Sequence, residues 1–161
     1  MKKYKKEEKR ALMNFNHART KEQIKLMEQI AQDSVCPFCE ENFTKYHPKP
    51  IIKENEHWFL TENMSPYTGT RVHFIIVYRD KHVTMSSEIP TEHMGQMFEL
   101  INWAIEEHSI EGGSILIRFG DSSYTGGSVD HFHAHLIIGN AKGTDKDAVK
   151  MKKKVGYMKP E

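Results

Sequence analysis

Apolar positions along the chain follow two periodicities. Over residues 5–33, Ala11, Leu12, Phe15, Ile24, Met27, Ile30 and Ala31 recur every three to four residues without proline or glycine, which predicts helix. The pattern lapses across residues 14–20, so two helices or one kinked helix fit equally. Thr20, with Gln23 three residues on, is the candidate N-cap. Residues 34–50 carry prolines and few apolar runs and read as loop. Short apolar runs at 51–52, 58–60 and 72–78 predict strands, with the turn Ser65-Pro66-Tyr67-Thr68-Gly69-Thr70 between the last two. Residues 91–109 predict the main helix. Thr91 is its candidate cap, and Met94, Met97, Phe98, Ile101, Ala104 and Ile105 form its apolar face, with Gly112-Gly113 beyond its end. Strands at 114–119 and 129–138 flank a Gly/Ser loop at 120–128.

A run of strands with one main helix predicts an α+β fold, an antiparallel sheet with the helix on one face. The organisation expected is a helical N-terminal arm (1–33), a catalytic-sized domain (34–140) and a polar, lysine-rich tail (141–161) whose composition suits partial disorder.

Composition changes this picture in three ways. The 161 residues hold no apolar stretch near the roughly 20 that a membrane helix needs. The charged start lacks the apolar core of a secretory signal, so a cytoplasmic location is expected. The net charge of +1 conceals a split: six bases against two acids in residues 1–10, seven against three in 141–161, and ten against seventeen in the body. The basic ends suit a solvated face, or attraction to polyphosphate or nucleic acid.

Ten histidines are many for this length, and three fall within five residues, in His131-Phe132-His133-Ala134-His135-Leu136-Ile137-Ile138. On a strand these imidazoles share one face, while Phe132, Ala134 and Leu136 face the core. Adjacent imidazoles disfavour one another's protonation, so the row suits phosphate binding, metal binding or nucleophilic chemistry better than stability.

The alternation of histidine with apolar residues resembles the motif of the histidine triad superfamily, nucleotide hydrolases and transferases. Gly126-Gly127-Ser128-Val129 resembles that family's glycine-rich approach to the triad, and Asn63-Met64-Ser65-Pro66-Tyr67 its nucleoside-binding turn. The resemblance spans residues 36–139. It implies that His133 is the nucleophile at the α-phosphorus of a purine nucleotide or dinucleoside polyphosphate, where a phosphoanhydride or phosphoramidate bond is cleaved. It implies that His135 contacts phosphoryl oxygens beside His131, and that Ser128, Gly126 and Gly127 supply donors to phosphate. Asn63 matches the ribose-binding position. Where many relatives have Gln before the Ser/Thr, this chain has Gly127. The upstream family histidine maps to His73 by strand register or to Arg71 by counting from Asn63; His73 is preferred, with Arg71 near the phosphates. By the same resemblance, a histidine at position 135 favours hydrolysis or phosphorolysis over sugar-nucleotide exchange. A homodimer is also implied.

Cys36-Pro37-Phe38-Cys39 is a redox dithiol or half a zinc site, and the polar, helical Ala31-Gln32-Asp33-Ser34 before it argues against the redox reading. One branch of the family implies structural zinc held by Cys36, Cys39, His82 and His131, with His47 as a competing ligand. Three other functions remain open. They are a transferase or phosphorylase of the same family, a metalloenzyme using the triad itself, and a non-catalytic nucleotide- or nucleic-acid-binding zinc protein. Phe119 and Tyr124 are candidates to stack on a base. His17, His57, His93 and His108 read as companionless, and Trp58 and Trp103 as core.

Overall fold

The computed structural model describes residues 12–15, 18–142 and 149–160. Part of the expected arm helix, His17 and residues 143–148 of the tail lie outside these. Helix α1 (Lys21–Asp33) starts where its cap requires: the Thr20 hydroxyl accepts from the Gln23 N–H. The Gln23 side chain in turn accepts from the Arg19 N–H at 2.9 Å, so two otherwise orphaned donors are satisfied. The helix ends at Ser34 in the left-handed region, φ 55°.

Five strands form one antiparallel sheet: β1 (Ile51–Glu54), β2 (Trp58–Glu62), β3 (Val72–Tyr78), β4 (Ser114–Arg118) and β5 (His133–Ile138), in the spatial order β1-β2-β3-β5-β4. Helix α3 (Thr91–Glu107) covers one face. There Trp58, Phe74, Ile76, Ala134 and Leu136 pack with Met97, Leu100, Ile101 and Ala104, all buried. Pro90, not Thr91, is the N-cap of α3, and no side chain caps it.

The opposite face is covered too, and here the sequence reading needs correction. Residues 34–50 are not all loop. Helix α2 (Glu40–Tyr46) sets Phe43 against Phe59, with ring centroids 4.5 Å apart, over Ile75 and Val77. Seven residues with two apolar anchors are too few for a 3.6-residue period to show. Cover on both faces explains why β3 reads as a continuous apolar run.

The last strand is shorter than expected. Residues 129–132 turn most of their backbone hydrogen bonds elsewhere: Val129 bridges Met13, Asp130 N–H donates to Leu12 at 3.0 Å, and Phe132 N–H to Val83 at 2.7 Å, while the Phe132 carbonyl still accepts from Tyr78 N–H of β3 at 3.3 Å. The N-terminal arm thus lies along the glycine-rich turn. Its Met13, Met27 and Ile30 share a small core with Tyr46 and Val129. No helix of the described residues is long and apolar enough to cross a membrane.

Candidate active site

The sheet face opposite α3 carries His133 and His135 on β5 beside His73 on β3, all buried. Side-chain alternation continues back through His131, which sits on the same side although it precedes the strand. Each imidazole has a partner that fixes its tautomer, because a carbonyl only accepts and an amide N–H only donates. His133 Nδ1–H donates to the His131 carbonyl at 2.5 Å, leaving Nε2 with its lone pair bare. Tyr67 N–H donates to His73 Nδ1 at 3.1 Å, so the proton of neutral His73 is on Nε2. That Nε2–H points to His135 Nδ1 at 2.9 Å, so His135 carries its own proton on Nε2. A backbone amide thus sets the proton positions of two histidines in series.

Burial disfavours the charged form of each ring. It pushes His133 down to about 4, with a smaller contribution from Arg118. His73 also falls to about 4, chiefly by burial and then by the charges of Arg19 and Lys153. His135 lies well below the ordinary histidine value, by burial and then by His133 and His73. The row is neutral at physiological pH, as a nucleophilic imidazole must be.

His133 and His135 line a cavity of about 330 Å³. Asn63, Gly126, Gly127 and Ser128 line it as well. The Asn63 carbonyl oxygen accepts from Ser65 N–H at 2.9 Å, which orients the amide. Its Nδ2 stands 3.1 Å from the protonated Nε2 of His73 and finds no acceptor there, so that donor is available to a ligand. Arg71 is not brought to the cavity. Its side chain is exposed, and its N–H donates to Ile138 at 2.8 Å where β3 begins. Register places His73, not Arg71, against the triad. Phe119 and Tyr124 are exposed and do not line the cavity either.

Several lining residues other than Tyr67, which belongs to the expected nucleoside-binding turn, had no site role in the sequence reading. Phe38 sets its ring edge-on to His133, 4.9 Å between centroids. Tyr67 lies near-parallel to His135 at 5.9 Å. Leu26, Met27 and Ile30 of α1 supply an apolar wall, and Arg19, Arg118, Lys153 and Lys154 also line the cavity. The arm and tail come to the site only through tertiary packing. The charge count of residues 141–161 pointed to Lys153 and Lys154 and the helical period to Met27 and Ile30, while nothing in the sequence singled out Arg19 or Arg118.

Cys36, Cys39, His82 and His131 converge, one ligand atom from each lying within 4.8 Å of the others. His131 Nε2–H donates to the Tyr78 carbonyl at 2.7 Å, which turns the bare Nδ1 toward Cys36 Sγ (3.3 Å) and Cys39 Sγ (3.8 Å). His82 Nδ1 is 3.7 Å from Cys39 Sγ. Ligand atoms of a tetrahedral zinc stand about 3.3–3.8 Å apart, so these spacings fit. Burial raises both thiols, Cys39 to about 12, so a metal has to displace two protons. His47 stays out of this cluster. Its ring stacks on Phe43 at 4.6 Å and its Nδ1 lies 3.1 Å from the Lys49 carbonyl. His57 and His93 are not companionless: they stack at 3.4 Å, and His57 Nδ1 lies 2.8 Å from Asp80.

An antiparallel sheet with one main helix and a buried histidine row at its centre defines a HIT-type domain. The family model of the HIT domain matches residues 44–142, more than half of the chain, and the chain belongs to that family. Solved structures are similar across most of their length. A HIT family hydrolase from Clostridium thermocellum is 23% identical with a TM-score of 0.53, over 70% of this chain and 96% of its own. A histidine triad nucleotide-binding protein from Candida albicans is 18% identical with a TM-score of 0.56, over 79% and 84%. A zinc-bound histidine triad family protein from Mycobacterium smegmatis is 21% identical with a TM-score of 0.51, over 73% and 82%. At these identities the likeness is one of fold. No curated protein matches the chain at a significant level.

Proposed function

We propose that the protein is a nucleotide hydrolase that cleaves at the α-phosphorus through a nucleotidyl-His133 intermediate. The observation that carries this reading is the Nδ1–H bond of His133 to the His131 carbonyl at 2.5 Å, which leaves the other ring nitrogen unprotonated in a buried, cavity-lining ring. That Nε2 attacks phosphorus, and the bond from phosphorus to the leaving group breaks with its electron pair going to the leaving group. Water then attacks phosphorus, the P–N bond breaks, and the pair returns to Nε2. The water proton leaves through the product phosphate or solvent. His135, with its proton on Nε2, and the N–H groups of Gly126–Ser128 stabilise charge on the phosphoryl oxygens. Asn63 holds the ribose. Membership of the HIT family, and relatives named as hydrolase and nucleotide-binding protein, support the reading.

The Cys₂His₂ cluster is read as a structural zinc site held by Cys36, Cys39, His82 and His131. Four protein ligands close the coordination shell, so the ion would fix the loop and take no part in the chemistry. It would lock Phe38, which lies between the two cysteines, against His133.

The test is trapping. Wild type and His133→Ala are incubated with adenylated compounds, and products are read by mass spectrometry. The wild type is expected to give released nucleotide and a nucleotidyl adduct. The variant is expected to give no adduct and to be slower by at least about a thousandfold. Normal turnover by His133→Ala overturns the assignment.

A further inference from the structure

Four cations and no carboxylate line the cavity among the described residues. This runs against composition, since residues 11–140 carry seventeen acids and ten bases. The cations come from three separate parts of the chain: Arg19 before α1, Arg118 at the end of β4, and Lys153 and Lys154 in the tail. Three of them gather at Tyr67, while the Lys154 ammonium lies over the Tyr157 ring. The Arg19 guanidinium lies 4.9 Å from the centre of its ring and the Lys153 ammonium 4.4 Å, while Arg118 donates to its hydroxyl at 3.2 Å.

The gathering is built into the packing. Arg19 donates to the Ser65 and Pro66 carbonyls. Arg118 donates to the Lys154 carbonyl at 3.0 Å. The tail lies so close on the glycine-rich turn that a Cβ at Gly126 would stand 2.7 Å from the Lys154 carbonyl oxygen. Only glycine admits the tail there.

Among the described residues no salt bridge engages Arg19, Arg118 or Lys153, and the Nε of Arg118 is buried without a partner. Repulsion within the group shows in Lys153, which is lowered first by burial and then by Arg19. A ring quadrupole attracts cations but cannot neutralise them. Holding like charges together without a counter-ion costs stability, and a bound polyanion offsets that cost. Arg19, Lys153 and Lys154 all lie outside the residues that the family model matches.

We propose that Arg19, Arg118 and Lys153 form a subsite for phosphates beyond the α-phosphate, so that these three cations select substrates whose leaving group is itself a phosphate or polyphosphate. The subsite deepens the hydrolase reading and rests on it for its role in turnover. When the α-phosphorus bond breaks, the electron pair goes onto an oxygen of the departing phosphate, whose growing negative charge the three cations face. A phosphoramidate releases an amine, which gains nothing from them.

The test compares wild type, Arg19→Gln/Lys153→Gln and the charge-keeping Arg19→Lys/Lys153→Arg. Two quantities are read: the dissociation constant for inorganic tripolyphosphate, by calorimetry, and the kcat/KM ratio of diadenosine triphosphate to adenosine 5′-phosphoramidate. Each lost charge-assisted contact is worth about tenfold, so the Gln variant should bind tripolyphosphate roughly 100-fold more weakly. The substrate ratio should fall by about tenfold or more, and the charge-keeping variant should restore both. If the folded Gln variant keeps either the wild-type ratio or the wild-type tripolyphosphate affinity, the subsite is wrong, while the His133 chemistry stands. If the wild type cleaves neither substrate, the hydrolase reading fails, and tripolyphosphate affinity alone decides the subsite.

Discussion

Replacing His73 with Phe tests the claim that a backbone amide sets the proton on His135. Phe keeps an aromatic ring beside Tyr67, whose ring centroid lies 4.5 Å from that of His73. It removes both nitrogens. The Tyr67 N–H loses its acceptor and His135 Nδ1 loses its donor, and both hydrogen bonds are buried. A buried polar group left unpaired costs about 1–3 kcal/mol, so the pair costs about 2–6 kcal/mol and lowers Tm by roughly 10 °C. With no donor on Nδ1, His135 samples both tautomers, and the species without a proton on Nε2 cannot donate to a phosphoryl oxygen. Turnover should then fall about 10–100-fold. His73→Gln separates the two roles, because an amide N–H can still donate to His135. It should regain most of the turnover while keeping part of the Tm loss. The direct readout is nitrogen NMR of labelled histidine, where wild-type His135 should show the Nε2–H tautomer. A wild-type His135 protonated on Nδ1, or His73→Phe with undiminished turnover, refutes the relay.

Two further predictions follow from the same site. His73 and His133 each sit at about 4 against an ordinary 6.5, so below 6.5 the unfolded chain binds more protons than the folded one. Their contribution to stability is complete above pH 6.5 and is lost as pH falls toward 4, at about 2 kcal/mol per histidine by pH 5; denaturant titrations from pH 4 to 8 should rise and then level, and a flat profile contradicts the buried neutral row. Removing zinc with a chelator, or making Cys39→Ser, should lower Tm. It should also slow turnover without abolishing it, because Phe38 loosens against His133. An unchanged Tm with no zinc by metal analysis removes the clamp, and complete loss of turnover restored by several divalent ions points instead to a catalytic metal.

The central elements were legible because their signals are local. The β3 run, the amphipathic face of α3 and the alternation across His133–Leu136 each follow from side chains a few residues apart. So does the Thr20 cap, whose hydroxyl takes the Gln23 N–H as the spacing predicts. Strand register was legible in the same way. It brings His73 and not Arg71 to the triad, because the apolar alternation of β3 fixes its faces whatever the length of the turn before it. What local reading missed has non-local causes. Helix α2 is held by Phe43 on Phe59, a contact made across the sheet face rather than by its own period. Residues 129–132 leave the strand because the arm and Val83 take most of their hydrogen bonds. His57 and His93 look solitary at 36 residues apart and become a stacked pair only when β2 and α3 meet.

The charge split is the clearest case of a pattern visible in sequence whose meaning lies in the fold. A lysine-rich tail reads as a solvated face because isolated lysines nearly always are. Lys153 departs from that reading through two glycines. Gly126 lets the tail backbone approach the turn, and a Cβ at Gly156 would stand 3.1 Å from the Tyr124 carbonyl oxygen, so both ends of that short segment are seated by close backbone contact. Arg19, one of the ten bases of the body, reaches the Tyr67 ring, as Lys153 does, through the Thr20 cap. The cap starts α1 one residue later, and Arg19 is left pointing along the turn at Ser65 and Pro66. A body with seventeen acids and ten bases attracts an anionic substrate of the kind proposed only where its cations are gathered locally. In the proposed subsite Arg19, Arg118 and Lys153 supply that attraction, and screening ties it to ionic strength: the exposed Arg19 and Lys153 contributions should weaken with added salt, while the buried tautomer relay should not.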